Sequence, residues 1–163
     1  MRTMIVGMGN MGSALADALL AQELSVTVWN RSPEKCQPAV EAGAVQADTV
    51  LKGVSSCDVL ITCLTDSQSV QETVVSDDIA KAMKGKIFVQ LSQASPDQSL
   101  EFNEWALMNE IGYLDGSITG LPINIRQNDC MIVYSGDPGV FNSCIDVLKA
   151  LGSKPRLVGE RPG

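Results

Sequence analysis

The feature that most narrows what this chain can fold into is "GMGNMG", the spacing Gly7-x-Gly9-x-x-Gly12 within its first dozen residues. Alone, such a triplet could serve any tight turn between a strand and a helix. Here it follows the apolar run "TMIV" and opens "SALADALLAQ", where Leu15, Leu19 and Leu20 share one helical face. A second strand-like run, "SVTVW", follows at the distance of a βαβ unit. In that setting Gly7 makes the turn, Gly9 lets the backbone approach a pyrophosphate, and Gly12 lets the helix pack closely on the strand. Met8, Asn10 and Met11 complete the loop, and the first N–H groups of the helix face the anion. The segment predicts dinucleotide binding.

The end of the second strand, "VWNRSPEK", refines this. A carboxylate there would bond a ribose 2′-hydroxyl and repel a 2′-phosphate. Asn30 removes the repulsion, and Arg31 can fork onto the phosphate while lying over the adenine. Ser32 adds a hydroxyl and Lys35 a second charge. The alternative is a solvated basic turn; the pattern favours NADP(H) over NAD(H).

The rest of the chain alternates short apolar runs with helical stretches. "DVLITCL" and "KIFVQL" are near-continuous apolar runs of the kind found in strands buried on both faces. "SPEKCQPAVEAG" should break or restart at Pro38, and "SQSVQETVVSDDIAKAM" reads as one or two helices. "SPDQSLEFNEWALMNEIG" opens with Ser95 and Gln98 at capping-box spacing. "YLDGSITG" and "CMIVYSG" read as strands, "DPGVFNSCIDVLKALG" as a helix and "PRLVG" as a last strand. Asp115, just before a glycine, reads as a turn former. The expected class is α/β: a Rossmann-type, doubly wound, mainly parallel sheet with helices on both faces.

Composition excludes several chemistries. A formal charge of −7 argues against nucleic acid or an anionic membrane as a general partner. No apolar run approaches the roughly 20 residues that span a bilayer, and no signal-peptide core opens the chain. The five cysteines are scattered without a C-x-x-C pair, which suits reduced thiols in the cytoplasm and no zinc site. The chain has no histidine, so His-based general bases, Ser-His triads and histidine metal sites are absent.

"IVGMGNMGSALADALL" and "VTVWNRSPEK", with "YLDGSITGLP" and "YSGDPGVF", resemble the β-hydroxyacid dehydrogenase superfamily, and within it the imine reductases. The resemblance runs over essentially all 163 residues. It implies an N-terminal NADPH-binding Rossmann domain, an interdomain helix, and a helical domain through which two chains pair as a homo-oligomer. It assigns the phosphate loop to Gly7, Met8, Gly9, Asn10, Met11 and Gly12, and the 2′-phosphate to Asn30, Arg31, Ser32 and Lys35. Leu64 and Thr65 would pass under the cofactor, although they equally suit an ordinary strand-to-helix turn. Ser92 and Ser95 would meet the nicotinamide ribose, although Ser95 equally suits a helix cap.

"DGSITGLP" corresponds to the family's substrate loop, where hydroxyacid dehydrogenases carry a serine and two glycines that bind a carboxylate. Here Thr119 replaces the serine, Leu121 narrows the approach, and Pro122 has no N–H to offer. The resemblance therefore implies a small-molecule substrate without a carboxylate, such as a cyclic imine. It places the family's catalytic lysine or proton donor beyond Gly163, so the chain is expected to be the cofactor domain, 1–163, without the helical domain and with no assignable catalytic residue. The alternatives are the cofactor domain of a 3-hydroxyacid dehydrogenase, or an NADP(H)-binding module without turnover.

Overall fold

The computed structural model describes residues 1–163. Its eight strands are β1 (Arg2–Val6), β2 (Ser25–Trp29), β3 (Val45–Gln46), β4 (Val59–Thr62), β5 (Ile87–Gln90), β6 (Gly112–Thr119), β7 (Met131–Gly136) and β8 (Arg156–Gly159). They form one sheet in the order β3-β2-β1-β4-β5-β6-β7-β8. The strands from β3 to β6 are mutually parallel; β7 runs antiparallel to β6, and β8 parallel to β7. The mainly parallel α/β class expected from the sequence is the one observed.

The nine α-helices are α1 (Asn10–Ala21), α2 (Gln37–Glu41), α3 (Val50–Ser56), α4 (Ser67–Val74), α5 (Asp77–Met83), α6 (Pro96–Met108), α7 (Pro122–Arg126), α8 (Pro138–Ser143) and α9 (Ile145–Leu151). They cover both faces of the sheet. On one face Ile5, Ile61, Val89 and Leu114 pack with Leu15 and Leu19 of α1 and Leu148 of α9. On the other, Met4, Leu60, Phe88 and Tyr113 pack with Val54 of α3, Val70 of α4, Met83 of α5 and Phe102 of α6. Alternate residues of each central strand enter opposite clusters, which is why β4 and β5 read as unbroken apolar runs.

Side-chain caps start most of these helices. Thr49, Asp66, Ser76, Ser95 and Asp137 each accept a backbone N–H at the opening of α3, α4, α5, α6 and α8. Pro38 restarts the chain as expected: a 3₁₀ turn at Pro33–Cys36 gives way to α2 with a proline in its first turn. The stretch between β4 and β5 is two helices.

Two details differ from the sequence reading. The helix after Asp137 is split at Cys144, whose φ of −113° and ψ of 16° leave the helical region. There Ser143 Oγ donates to the Val140 carbonyl at 2.7 Å and the Cys144 thiol to the same oxygen at 3.4 Å, competing with continuation of the helix. "PINIR", after the loop at Gly120, forms the short helix α7. Asp115 is not in a turn: it lies within β6, paired with Gln90 on β5 and Ser135 on β7. Gly116 is explained by packing, since a Cβ there would lie 2.5 Å from Leu91 Cδ2 and 3.0 Å from Tyr134 Cδ1.

Candidate cofactor-binding site

The C-terminal ends of β1 and β4 are adjacent while their connections leave in opposite directions, which is where an open α/β sheet forms its binding crevice. The glycine loop lines it. Gly7 has φ of +105°, and a Cβ there would collide with the Cys63 carbonyl. A Cβ on Gly12 would collide with the carbonyl of Gly7, so this glycine lets α1 close onto the loop itself. At Gly9 an added Cβ meets nothing within 4 Å. Its Cβ position opens into free space.

Unlike the capped helices, α1 starts at Gly9 with no side-chain cap. Its first backbone bond is from Ser13 N–H to the Gly9 carbonyl at 2.9 Å, which leaves the N–H groups of Asn10, Met11 and Gly12 without helical partners. An open space beside uncapped N–H groups fits a pyrophosphate.

Outward from this loop runs a hollow of about 200 Å³ lined by Trp29, Asn30, Arg31, Ser32, Lys35, Ser69 and Thr73, among others. Arg31 and Lys35 are exposed and belong to no ion pair. Asn30 is committed differently from the sequence expectation. Its Oδ1 accepts from Met8 N–H at 2.9 Å and its Nδ2 donates to the Ser32 carbonyl at 3.1 Å. It braces the glycine loop against the basic turn. Met8 consequently contributes neither a free N–H nor an exposed side chain, being 2% exposed and part of the core.

Inward lies a larger hollow of about 920 Å³, bordered by Met11, Ser92, Ser95, Asp115 and Gly116. Cys63, Leu64 and Thr65 line both hollows, making one continuous trough across the strand ends. Leu64 donates its N–H to Ser92 Oγ at 2.8 Å, tying the turn after β4 to the turn after β5. Ser95 forms both halves of a capping box with Gln98, so its hydroxyl is engaged at the start of α6 although it borders the trough.

The substrate-side residues are placed elsewhere. Thr119 ends β6 and donates its hydroxyl to the Met131 carbonyl. Leu121 is 67% exposed and faces a separate hollow with Asn10, Ser13 and Ile123. The inner wall of the trough is formed instead by Gly116, Ser117, Ile118 and Gly120. Sequence reading also passed over Ser69 and Thr73, whose i, i+4 spacing on α4 is the signal that both face the trough.

The titratable groups here are not poised as nucleophiles. Burial pushes the Cys63 thiol up to about 11, so it is neutral at physiological pH. Burial also raises the Asp115 carboxyl above the usual aspartate range. No group of His, Cys, Asp and Glu side chains is arranged to hold a metal ion, and no helix is long and apolar enough to cross a membrane.

The sequence profile of the NAD-binding domain of 6-phosphogluconate dehydrogenase matches residues 2–159. The chain belongs to this family. A nicotinamide dinucleotide is thus the cofactor class of this chain. Among solved structures, the imine reductase of Myxococcus stipitatus in complex with NADP+ superposes with a TM-score of 0.97 at 36% identity, over 100% of this chain and 56% of that one. The NADPH-dependent reductive aminase of Aspergillus oryzae is 32% identical over 94% of this chain and 52% of its own length. The cytokine-like nuclear factor N-PAC of Drosophila pseudoobscura pseudoobscura is 31% identical over 94% of this chain and 26% of its own length. The chain therefore spans about half the length of the two enzymes and about a quarter of the nuclear factor. It is related to NADPH-dependent oxidoreductases.

Proposed function

We propose that the chain is the cofactor domain, residues 1–163, of an NADPH-dependent oxidoreductase acting on a C=N substrate. The observation that carries this is the continuous trough, with free cations at one end, the uncapped start of α1 at its middle and the tied turns of β4 and β5 at the other. In this reading Arg31 and Lys35 hold a 2′-phosphate, Ser32 adds a donor, and Asn30 keeps that turn in register with the glycine loop. The N–H groups of Asn10, Met11 and Gly12 hold the pyrophosphate, while Leu64 and Thr65 support the inner half. Bound there, the reduced nicotinamide supplies hydride. The chain's own residues bind and orient.

The C=N assignment rests on the names of the two enzymes it resembles and on the loop after β6. Pro122 has no N–H, and Leu121 donates its N–H to Asn124 Oδ1 at 2.9 Å, so neither is available to a substrate carboxylate. Protonation falls to a residue outside 1–163, within a helical domain that pairs two chains. The homo-oligomer and the cytoplasmic location belong to the same reading. Cofactor turnover by the native gene product is the test: NADPH oxidation with a cyclic imine and no NADP+ reduction with 3-hydroxyacids supports it, and the reverse assigns the chain to the hydroxyacid dehydrogenases. Similarity to a protein named as a nuclear factor favours a second reading, cofactor binding without turnover. NADPH binding with both substrate classes inert would select it.

A further inference from the structure

Two residues beyond the apolar row Leu60–Phe88–Tyr113, the same face of the sheet turns polar: Thr62, Gln90 and Asp115 lie side by side on β4, β5 and β6. Thr62 and Gln90 are fully buried. A buried primary amide is costly unless its donors and acceptor are used. Gln90 uses them on one residue. Its Nε2 donates to the Ser92 carbonyl at 2.9 Å, and its Oε1 accepts the Ser92 N–H. The side-chain amide thus pairs with both backbone groups of residue 92, as a neighbouring strand would. Thr62 Oγ1 adds a third bond to Gln90 Oε1 at 3.4 Å. Ser92 in turn accepts the Leu64 N–H through its hydroxyl, leaving that hydroxyl's own proton to donate.

We infer that Gln90 is a positioning residue that extends β5 by a surrogate peptide pair, fixing the turn at Ser92 and, through it, the turn at Leu64 where the nicotinamide half of the cofactor binds. Gln90 does not itself line the trough. Its effect is confined to the inner end, because the basic turn is held separately by Asn30. This rests on the cofactor reading above, and the two are separated by using a ligand that lacks the nicotinamide half.

The test compares NADPH with adenosine 2′,5′-bisphosphate on the wild-type chain and on Gln90→Met, which keeps the length of the side chain and removes the amide. NADPH is followed by its nicotinamide fluorescence and the bisphosphate by calorimetry. The expected result is NADPH weakened about tenfold, a magnitude typical of losing buried hydrogen bonds, with loss of the bound-state fluorescence change. Bisphosphate affinity should stay within about twofold of wild type, as expected for a distant site with no shared partner. Equal weakening of both ligands, or no change in either, overturns the inference. Should Gln90→Met not fold, Thr62→Val decides: a selective loss for NADPH of about twofold to threefold supports it, and a parallel or absent change overturns it. A wild-type chain that binds neither ligand overturns the cofactor reading and this inference with it.

Discussion

The two ends of the trough are built in opposite ways. At the outer end Arg31 and Lys35 stand exposed on a turn anchored by one amide, Asn30, and their charges are free for a ligand. At the inner end the polar atoms are already bonded to one another: Gln90 to Ser92 in the buried interior, Ser92 to Leu64, and Ser95 to Gln98 at the exposed start of α6. The outer end recognises by charge, so its specificity should depend on salt and on single side chains. The inner end presents a fixed backbone surface, so its specificity should depend on the bonds that hold the turns. Between them sits the glycine loop, where space itself is the recognition element.

The sharpest way to break this comparison is at that loop. Gly9→Val should abolish dinucleotide binding while leaving the melting temperature near wild type, because an added Cβ meets no residue beyond its chain neighbours within 4 Å. Gly12→Ala should instead destabilise the fold, by about 1–3 kcal/mol as for other overpacked sites, because its Cβ meets the Gly7 carbonyl. Cofactor titration and thermal unfolding of the two variants separate these effects. Equal melting temperatures would mean that Gly12 does not close α1 onto the loop.

Next in size is the outer end. Arg31→Ala should weaken NADPH by about 1.5–3 kcal/mol, the range for a hydrogen bond to a charged group, and NADH far less. The gap between the cofactors should narrow as salt is raised. Identical titration curves for NADPH and NADH on the wild type would remove the case for a 2′-phosphate site.

Smaller effects are expected from pH. Burial raises the Asp115 carboxyl in the folded chain above its unfolded value of 3.8, so the folded state binds that proton more tightly. Stability from this group is fully present below pH 3.8 and is lost as pH rises through the folded value. Asp115→Asn should therefore melt higher than wild type at neutral pH and converge with it in acid. The surface shows the opposite sign. The Arg2 guanidinium, 2.7 Å from Asp58, holds that carboxyl down at about 2. Its contribution is present above pH 3.8 and is lost as pH falls through about 2. Solvent screening keeps Asp58→Asn under about 1 kcal/mol at neutral pH. Melting curves across pH for both variants would show whether the two signs hold.

Much of the fold was legible from local signals. The glycine spacing, the buried runs of β4 and β5, the restart at Pro38 and the capping box at Ser95 each depend on residues within a few positions of one another, where propensity and hydrogen bonding act directly. The reading failed where a distant contact overrode a local preference. Asp115-Gly116 has the composition of a turn, but β5 and β7 pair with it on either side, and close packing of Leu91 and Tyr134 leaves no room for a Cβ at Gly116. A second failure was local: one continuous helix was expected after Asp137, and the side chains of Ser143 and Cys144, bonding back to the Val140 carbonyl, divide it. The candidate site was legible in its glycines and its cations and much less so in its inner wall, where Thr119 and Leu121 were expected and Gly116, Ser117, Ile118 and Gly120 stand.

By itself, then, the sequence determined the class of fold and the ligand's anionic character, because strand period, glycine spacing and the missing carboxylate are properties of short segments. Only the tertiary structure decided what each polar side chain does. Asn30 and Gln90 are alike in the sequence, amides at the ends of strands. Asn30 bridges the distant Met8 to Ser32 two residues on, whereas Gln90 spends both its backbone bonds on Ser92. The physical reason is that an amide carries both donors and an acceptor, so its role is set by whichever backbone groups the packed sheet brings within 3 Å or so of it.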